Sequence, residues 1–247
     1  DRAIALNPQL ALAYNNRGEA YRLSEQYDKA LADFNQVIGT LSPNSTFAIG
    51  SRGQVYVALG QYPEALADFN RALELDPSLL WVLQDRASLK QQQGDLVGAI
   101  ADFDRAIALN PQDAAAYYNR GNARQAQGDL EAAIADYDRA IALNPQLAPA
   151  YNSLCWAGSL AGQAAQYLPM CEKAVTLSNG DPLIRDSRGL ARALTGDTPG
   201  AIADFQAYID SPDIPPALKT KRQDWIRALQ SGQNPFTPQL RPDLRTE

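Results

Sequence analysis

The feature that most constrains the fold is a ten-residue segment, DFDRAIALNP at 102–111, which recurs along the chain at a nearly constant interval. Pro77, Pro111 and Pro145 end three of the copies and are evenly spaced. The other copies are DRAIALNP at 1–8, DFNQVIGTLSP at 33–43, DFNRALELDP at 68–77, DYDRAIALNP at 136–145, and the diverged MCEKAVTLSN at 170–179 and DFQAYIDSP at 204–212. A period of about 34 residues predicts a tandem array of supersecondary units in place of one globular core.

We number the positions of each repeat so that these prolines occupy position 32. Small residues then recur at positions 8 and 20 and aromatic residues at position 24, with one extra residue expected in the turn 41–45. The six repeats begin at Ala11, Thr46, Leu80, Ala114, Ala148 and Pro182. The pattern resembles the tetratricopeptide repeat (TPR), whose Trp/Tyr, Leu-Gly, Tyr, Ala, Phe and Pro signature has the same period. The resemblance implies an all-α fold, a right-handed α-α superhelix of about six helix-turn-helix repeats with a C-terminal capping helix.

The expected organisation has four parts: the end of a partial preceding repeat at 1–9, six repeats at 10–213, a capping helix at 214–232 and an extended tail at 233–247. The apolar edge of Asp1–Asn7 is interpreted as the remainder of a truncated repeat, with a self-association surface as the alternative. In the capping helix, Leu218, Trp225, Ile226 and Leu229 are expected to form a buried stripe, with Lys219, Lys221, Arg222 and Arg227 outside. Gly232 closes that helix, and the tail is either packed back through Phe236 and Leu240 or loose.

Within each repeat, positions 1–14 are expected to form helix A and positions 17–30 helix B. Glycine at position 15 of five repeats suits the left-handed residue that ends helix A, and Asp95, Asp129 and Asp197 follow as caps for helix B. Position 7 is arginine and position 23 aspartate in every repeat except the fifth, where both are lost together. This joint loss predicts an ion pair between helix A and helix B, with two independent solvated charges as the alternative.

Positions 2, 5, 6, 9 and 13 share the face of helix A turned away from helix B. We call it the inner face, since in proteins with the repeat it lines a concave groove. Its mixture of amides and aromatic rings suits an extended peptide, and it resembles grooves in which asparagines hold a ligand main chain; the alternative is a solvated wall without a ligand. Positions 2, 5, 6 and 9 carry no Lys or Arg, which argues against a clamp for acidic chaperone tails. The candidate peptide-binding residues are Asn15, Asn16, Phe47, Trp81, Gln84, Tyr118, Asn119, Asn122, Asn152 and Trp156.

The fifth repeat departs furthest from the pattern. Cys155 and Cys171 occupy positions 8 and 24, and we expect two buried free thiols, with a disulfide as the alternative. Tyr167 is expected to fill the space left by Gly158, and Pro169 to kink helix B or delay its start. We expect Trp156 to mark a specialised part of the groove.

Composition excludes several functions. A net charge of −6 without a basic run argues against nucleic acid, and no apolar run is long enough to insert into a membrane. With no histidine and two cysteines, the chain lacks ligands for a structural zinc site, and neither a nucleophile–base pair nor a phosphate-binding loop is evident. We therefore expect neither an enzyme nor a cofactor protein, but a cytoplasmic scaffold that binds a protein or peptide.

Two stretches, LCWAGSLAGQ through ALTGDTPGAIADFQAYI at 154–209 and RQDWIRALQSGQNPFTP at 222–238, resemble C-terminal TPR regions of cyanobacterial and related bacterial proteins. Because those regions are often attached to a signalling or effector domain, a regulatory appendage is an alternative function, beside a self-assembly module.

Overall fold

The computed structural model of the chain describes residues 2–236, and every regular element among them is helical. The chain divides at Pro111 into two compact units. Unit 1 contains α1 (Arg2–Leu6), α2 (Ala11–Leu23), α3 (Tyr27–Gln36), α4 (Thr46–Ala58), α5 (Tyr62–Leu75), α6 (Leu80–Gln92) and α7 (Leu96–Leu109). Unit 2 contains α8 (Ala114–Gln127), α9 (Leu130–Leu143), α10 (Ala148–Leu160), α11 (Ala164–Leu177), α12 (Pro182–Thr195), α13 (Thr198–Asp210) and α14 (Pro216–Gln230). Asp1 and, from the expected tail, residues 237–247 with Leu240 lie outside the described residues.

The helices α2 to α13 form the six predicted pairs of helix A and helix B, so the expected all-α array is confirmed. The loops between the paired helices follow the chemistry expected from the sequence. Gly128, for example, has φ of 91° and ends α8, while the Asp129 carboxylate accepts a hydrogen bond of 3.1 Å from the Ala132 amide at the start of α9. Glycine adopts the left-handed backbone conformation at little energetic cost, which explains why α8 ends at Gly128.

The extra residue of the first repeat lies in a helix and not in a turn. α3 continues directly into a π-helical segment, Val37–Leu41, in which the Ser42 amide donates to the Val37 carbonyl. A π-helical turn accommodates one residue more than an α-helical turn. The following turn, 42–45, therefore keeps the four-residue length of its counterpart at 76–79.

Each helix pair is packed around the predicted contact between a small residue and an aromatic ring. Gly18 of α2 lies on the ring of Phe34 of α3, and an added Cβ at Gly18 would be only 2.9 Å from Phe34 Cε1. The same contact recurs between Gly121 and Tyr137. The aromatic residues at position 24 have no exposed surface: Phe34, Phe69, Phe103, Tyr137 and Phe205. Side chains at position 8 must therefore stay small for the two helices to approach.

The predicted ion pair between helix A and helix B is confirmed in all five repeats that carry it. The distances between Nη2 and Oδ1 are 2.6–2.7 Å, and the aspartates are buried. The pairs are Arg17–Asp33, Arg52–Asp68, Arg86–Asp102, Arg120–Asp136 and Arg188–Asp204. Within a unit the same arginine also reaches the preceding repeat, as when Arg52 donates to Asn35 at 2.7 Å. The position 7 guanidinium thus links helix A to helix B and one repeat to the next.

Position 11 strengthens this ion pair in two different ways. Lys90 and Arg124 form second ion pairs of 2.8 Å with the position 23 carboxylates. In the first two repeats position 11 is instead a tyrosine, and Arg52 lies 5.7 Å from the ring centroid of Tyr56. Burial alone would raise the pKa of Asp102, but hydrogen bonds from Arg86 and Lys90 outweigh burial and lower that pKa.

The fifth repeat replaces the ion pair with a covalent bond. The expectation of two free thiols is wrong, because Cys155 of α10 and Cys171 of α11 form a disulfide with their Cα atoms 5.0 Å apart. Positions 8 and 24 are where a small residue and a ring meet in the other repeats, so the fold itself brings two cysteines into bonding range. α11 begins on schedule at Ala164 and includes Pro169, so the proline does not delay its start. The Tyr167 ring packs on Gly158, as predicted.

The last helix continues the register of the repeats, because the interval from Pro182 at the start of α12 to Pro216 at the start of α14 equals one period. Trp225 is buried as predicted and packs against Phe236, with the ring centroids 4.8 Å apart. Two expectations for α14 are wrong. Leu218 is 49% exposed although it was expected in the buried stripe, and Arg222 is 6% exposed although it was expected outside.

Within residues 2–236, no helix combines the length and the apolar composition that crossing a membrane requires.

Candidate functional site

Five of the candidate residues lie in unit 1, on α2, α4 and α6. Asn15 is buried and Asn16 exposed, while Trp81 and Gln84 are partly buried. Phe47 is 43% exposed, and its ring centroid lies 6.4 Å from that of Trp81. Gly50 allows this arrangement, because a side chain at Gly50 would collide with the Trp81 indole. The structure thus brings the two aromatic residues together as a partly exposed pair.

Tyr118, Asn119 and Asn122, all partly buried on α8, are the first candidates of unit 2. The hydroxyl of Tyr137 lies 2.9 Å from Asn122 Oδ1 and 3.0 Å from Gln125 Oε1. Burial raises the pKa of Tyr137, so the hydroxyl stays protonated and donates. The Asn122 amide oxygen is therefore engaged within the protein, whereas the other candidates on α8 keep their partial exposure.

The remaining candidates, Asn152 and Trp156 of α10, line a cavity of about 370 Å³. Inner-face residues of α10 and α12 form most of its wall, and residues of α13 and α14 close one side. The lining residues are Gln125, Asn152, Ser153, Trp156, Leu183, Asp186, Ser187, Tyr208, Leu218 and Arg222. We call this cavity the unit 2 cavity. Its volume is within the range of about 300–1,000 Å³ that is usual for ligand pockets.

Two asparagines on the inner face carry unsatisfied amide oxygens. Among the described residues, the buried side-chain polar atoms without a hydrogen-bond partner are Oδ1 of Asn15 and Oδ1 of Asn152. Both asparagines occupy position 5, one in each unit. A buried acceptor without a donor costs about 1–3 kcal/mol. Both atoms are therefore acceptors whose hydrogen-bonding capacity the described residues leave unused.

A buried ion pair forms the end of the unit 2 cavity. Arg222 Nη2 of α14 donates to Asp186 Oδ2 of α12 at 2.7 Å, and both residues are buried. The guanidinium carbon also lies 4.9 Å from the Tyr208 ring centroid and 4.6 Å from that of Trp225. Sequence reasoning missed this pair, although Arg222 follows Arg188 by one full period and so falls at position 7, the arginine position.

A second cavity, of about 290 Å³, lies in unit 1 and is called the unit 1 cavity. The residues around it are Arg22, Gln54, Val57, Phe69, Asp85, Ser88, Leu89 and Gln92. Four of them, Gln54, Asp85, Ser88 and Gln92, belong to the inner face, but none was singled out from the sequence. Gln54 Nε2 donates to Asp85 Oδ2 at 2.6 Å. Burial raises the pKa of Asp85, while this hydrogen bond and the charge of Arg22 act in the opposite direction.

Both cavities are lined by a mixture of polar and apolar side chains. They offer amide, hydroxyl and carboxylate groups beside aromatic and aliphatic walls, and the described residues include no group of His, Cys, Asp and Glu side chains suited to a metal ion. The two cysteines are joined to each other, so neither is a nucleophile.

Family comparisons match most of the repeats found above. A model described as "Tetratricopeptide repeat" matches residues 11–39, 48–79 and 114–147, and one described as "TPR repeat" matches residues 87–128. No curated protein matches the chain at a significant level.

Several solved structures share the fold. The structure of PilW, a "widely conserved type IV pilus biogenesis factor", aligns with a TM-score of 0.74 and 21% identity over 86% of this chain and 98% of that chain. YrrB, "a TPR protein with an unusual peptide-binding site", aligns with a TM-score of 0.64 and 22% identity over 74% of this chain and 94% of its own. MamA from Desulfovibrio magneticus RS-1 aligns with a TM-score of 0.64 and 20% identity over 69% of this chain and 96% of its own. At these identities the likeness establishes the fold alone.

Proposed function

Because the chain is a tetratricopeptide repeat protein, we propose that it is a protein-interaction scaffold that binds an extended peptide segment of a partner on the inner face of its A helices. It acts by binding and not by catalysis. YrrB, which shares the fold, is described as having a peptide-binding site.

The observation that carries this proposal is the unit 2 cavity, where an unsatisfied acceptor lies in the same wall as an aromatic ring. A rotation of the Asn152 side-chain amide would bring the buried Oδ1 to a main-chain N–H of the peptide, and Trp156 with Leu183 would hold an apolar side chain beside it. A main-chain donor together with a buried apolar anchor is a common way for a peptide to gain affinity. Asn15 is the equivalent unsatisfied acceptor of unit 1, for the N–H of a segment bound to that unit.

The experiment is selection of peptides from a displayed library on the wild-type protein, followed by calorimetry with variants. Trp156→Ala is expected to weaken the selected peptides about 30-fold, since removal of an aromatic anchor costs about 2 kcal/mol or more. Asn152→Asp keeps the acceptor and should bind better than Asn152→Leu. Gln166→Ala, at an exposed residue of α11, is the control. Selected peptides that bind Trp156→Ala and Asn152→Leu as tightly as the wild type would contradict the proposal.

Self-assembly is the second candidate function, favoured by exposed leucines near the N-terminal end of unit 1. Leu6 is 78% exposed, Leu12 62% and Leu23 71%. Light scattering over a range of protein concentrations separates the two functions. A particle mass that rises with concentration and returns to the monomer value in Leu6→Ser with Leu23→Ser supports self-assembly.

The cytoplasmic location expected from the sequence stays a prediction, and the disulfide argues against it. Cys155 and Cys171 are bonded, and such bonds persist mainly in oxidising compartments. We propose such a compartment for this chain. Alkylation of cell extracts prepared in acid, with and without prior reduction, tests this point: two thiols that react without reduction would restore the cytoplasmic prediction.

A further inference from the structure

The unit 1 cavity contains a carboxylate whose charge is not balanced by a direct ion pair. Asp85 is partly buried on α6 and accepts one hydrogen bond, from the neutral amide of Gln54. Within residues 2–236, no Lys or Arg nitrogen lies within ion-pair distance of the Asp85 carboxylate. Because Asp85 is partly buried and has only a neutral hydrogen-bond donor, a cation bound in the cavity would stabilise its charged form.

The nearest cation is already committed to another carboxylate. Arg22 of α2 forms two hydrogen bonds with Glu19, of 2.9 and 2.6 Å. Its positive charge lowers the pKa of Asp85 from a longer distance, without a direct ion pair. Lys90, on the same helix as Asp85, bonds to Asp102 at 2.8 Å. The charged groups around the cavity are thus Glu19, Arg22 and Asp85, which leave one net negative charge. The chain as a whole also carries a net charge of −6, which favours a basic partner.

The walls around Asp85 suit the stem of a long side chain. The partly buried Val57 supplies apolar surface with the buried Leu89 and Phe69 behind it, while Ser88 and Gln92 place polar groups at the margin. The volume of about 290 Å³ is large enough for one long side chain. A lysine combines an aliphatic stem with a compact ammonium group, and it suits a single carboxylate oxygen better than the broad fork of arginine does.

We propose that the unit 1 cavity binds a lysine side chain of the partner, with the ammonium group on Asp85 and the stem against Val57. This deepens the function proposed above, because it names the chemical class of a side chain that the partner segment presents to unit 1. Gln54 acts as a positioning residue that fixes the Asp85 carboxylate. It does not touch the ligand charge itself.

The test uses the full chain and a pair of matched peptides. Acetyl-Ala-Ala-Lys-Ala-Ala-amide is titrated while the backbone amide resonances of residues 54, 57, 85, 88 and 89 are followed by NMR. The second peptide carries norleucine in place of lysine and so keeps the stem without the charge. We expect saturable shifts with the lysine peptide and at least about tenfold weaker binding of the norleucine peptide, since a half-buried charge pair is worth somewhat more than an exposed one.

Two variants isolate the carboxylate. Asp85→Asn keeps an oxygen for Gln54 to donate to, removes the charge, and is expected to lose the preference for lysine. Asp28→Asn removes the same charge from an exposed residue of α3 and is expected to bind like the wild type. Equal binding of the two peptides by the wild type, or an unchanged preference in Asp85→Asn, would overturn the proposal. Tighter binding of an arginine peptide would also overturn it, since the site would then not select the ammonium group.

The two proposals can fail separately. Loss of the lysine preference with an intact effect of Trp156→Ala on selected peptides would remove only the lysine site. Binding of lysine in unit 1 without any effect of the unit 2 variants would remove only the peptide mode proposed for the unit 2 cavity.

Discussion

Reduction of the Cys155–Cys171 disulfide should lower the free energy of unfolding of unit 2 by about 3 kcal/mol. The bond joins residues 16 apart in sequence, and the chain-entropy relation gives about 3 kcal/mol at 25 °C for a loop of that length. The oxidised and the reduced protein have the same side chains, and both cysteines are buried, with 0% and 1% exposure. The comparison of oxidised with reduced protein therefore isolates the bond from the packing.

Tryptophan fluorescence gives an assay specific to unit 2. In a Trp81→Phe background the remaining tryptophans, Trp156 and Trp225, both belong to unit 2. Urea titrations of this protein with and without a dithiol reductant are expected to show a lower midpoint after reduction, with a slope that stays the same or increases slightly because the reduced chain unfolds to a less compact state. The far-UV circular dichroism at zero urea checks that the reduced chain stays helical.

A double variant tests whether an ion pair can replace the disulfide in the reduced protein. Leu154→Arg combined with Met170→Asp restores the ion pair that the other five repeats carry at positions 7 and 23. Asp138, at position 25 of the preceding repeat, would give the new arginine a second acceptor, as Glu172 does for Arg188 at 2.7 Å. We expect this variant to recover part of the lost stability. Two titratable thiols in the denatured, unreduced chain, or equal midpoints with and without reductant, would refute the reasoning.

Three further predictions concern single residues. Arg222→Met should destabilise unit 2 by about 3–5 kcal/mol, because it removes the guanidinium that pairs with the buried Asp186 carboxylate, and urea unfolding measures the loss. Asp85→Asn should be neutral or stabilising at pH 7. The raised pKa of Asp85 means that the folded state binds the Asp85 proton more tightly than the unfolded state does. The contribution of Asp85 to the free energy of unfolding is therefore most favourable below the ordinary aspartate pKa of about 3.9, and it declines as pH rises through the raised pKa. Thermal melts across pH should show this decline in the wild type and not in Asp85→Asn. Gly121→Val should destabilise unit 2 by about 1–3 kcal/mol in urea, because even a Cβ would lie 2.6 Å from Tyr137 Cε1.

Contacts within a repeat could be predicted because the period itself repeats them. An arginine and an aspartate that occur together in five repeats, and are lost together in the remaining one, identify a pair without any coordinates. Arg86 and Asp102, for example, lie on different helices and meet at 2.6 Å. The glycine and aromatic positions are equally regular, so the approach of the two helices follows from residue size.

Contacts that depend on one repeat's own substitutions could not be read in the same way. Asn122 was expected to face a ligand, but Tyr137 occupies a position that is phenylalanine in most repeats, and its added hydroxyl needs a buried acceptor. Asp85 was not singled out from the sequence, and its hydrogen-bond partner, Gln54, belongs to the neighbouring repeat. The sequence shows the residue types but not which neighbour covers them.

The unit 2 cavity is lined by α10 and α14, where the usual pair between the position 7 arginine and the position 23 aspartate is absent or altered. Position 7 of the fifth repeat is leucine, so α10 is held to α11 by the bond at Cys155, the residue just before Trp156 on the same helix. At the other side of the cavity, Arg222 occupies the arginine position of α14, but its carboxylate comes from Asp186 on the inner face of α12 and not from a paired helix B. The Cys155–Cys171 disulfide and the Arg222–Asp186 ion pair thus hold α10 and α14 in place without the usual arginine–aspartate pair between helix A and helix B. Departures from a regular pattern that are stabilised by other contacts are expected at functional sites. The departures around the unit 2 cavity therefore favour a binding role for this part of the chain.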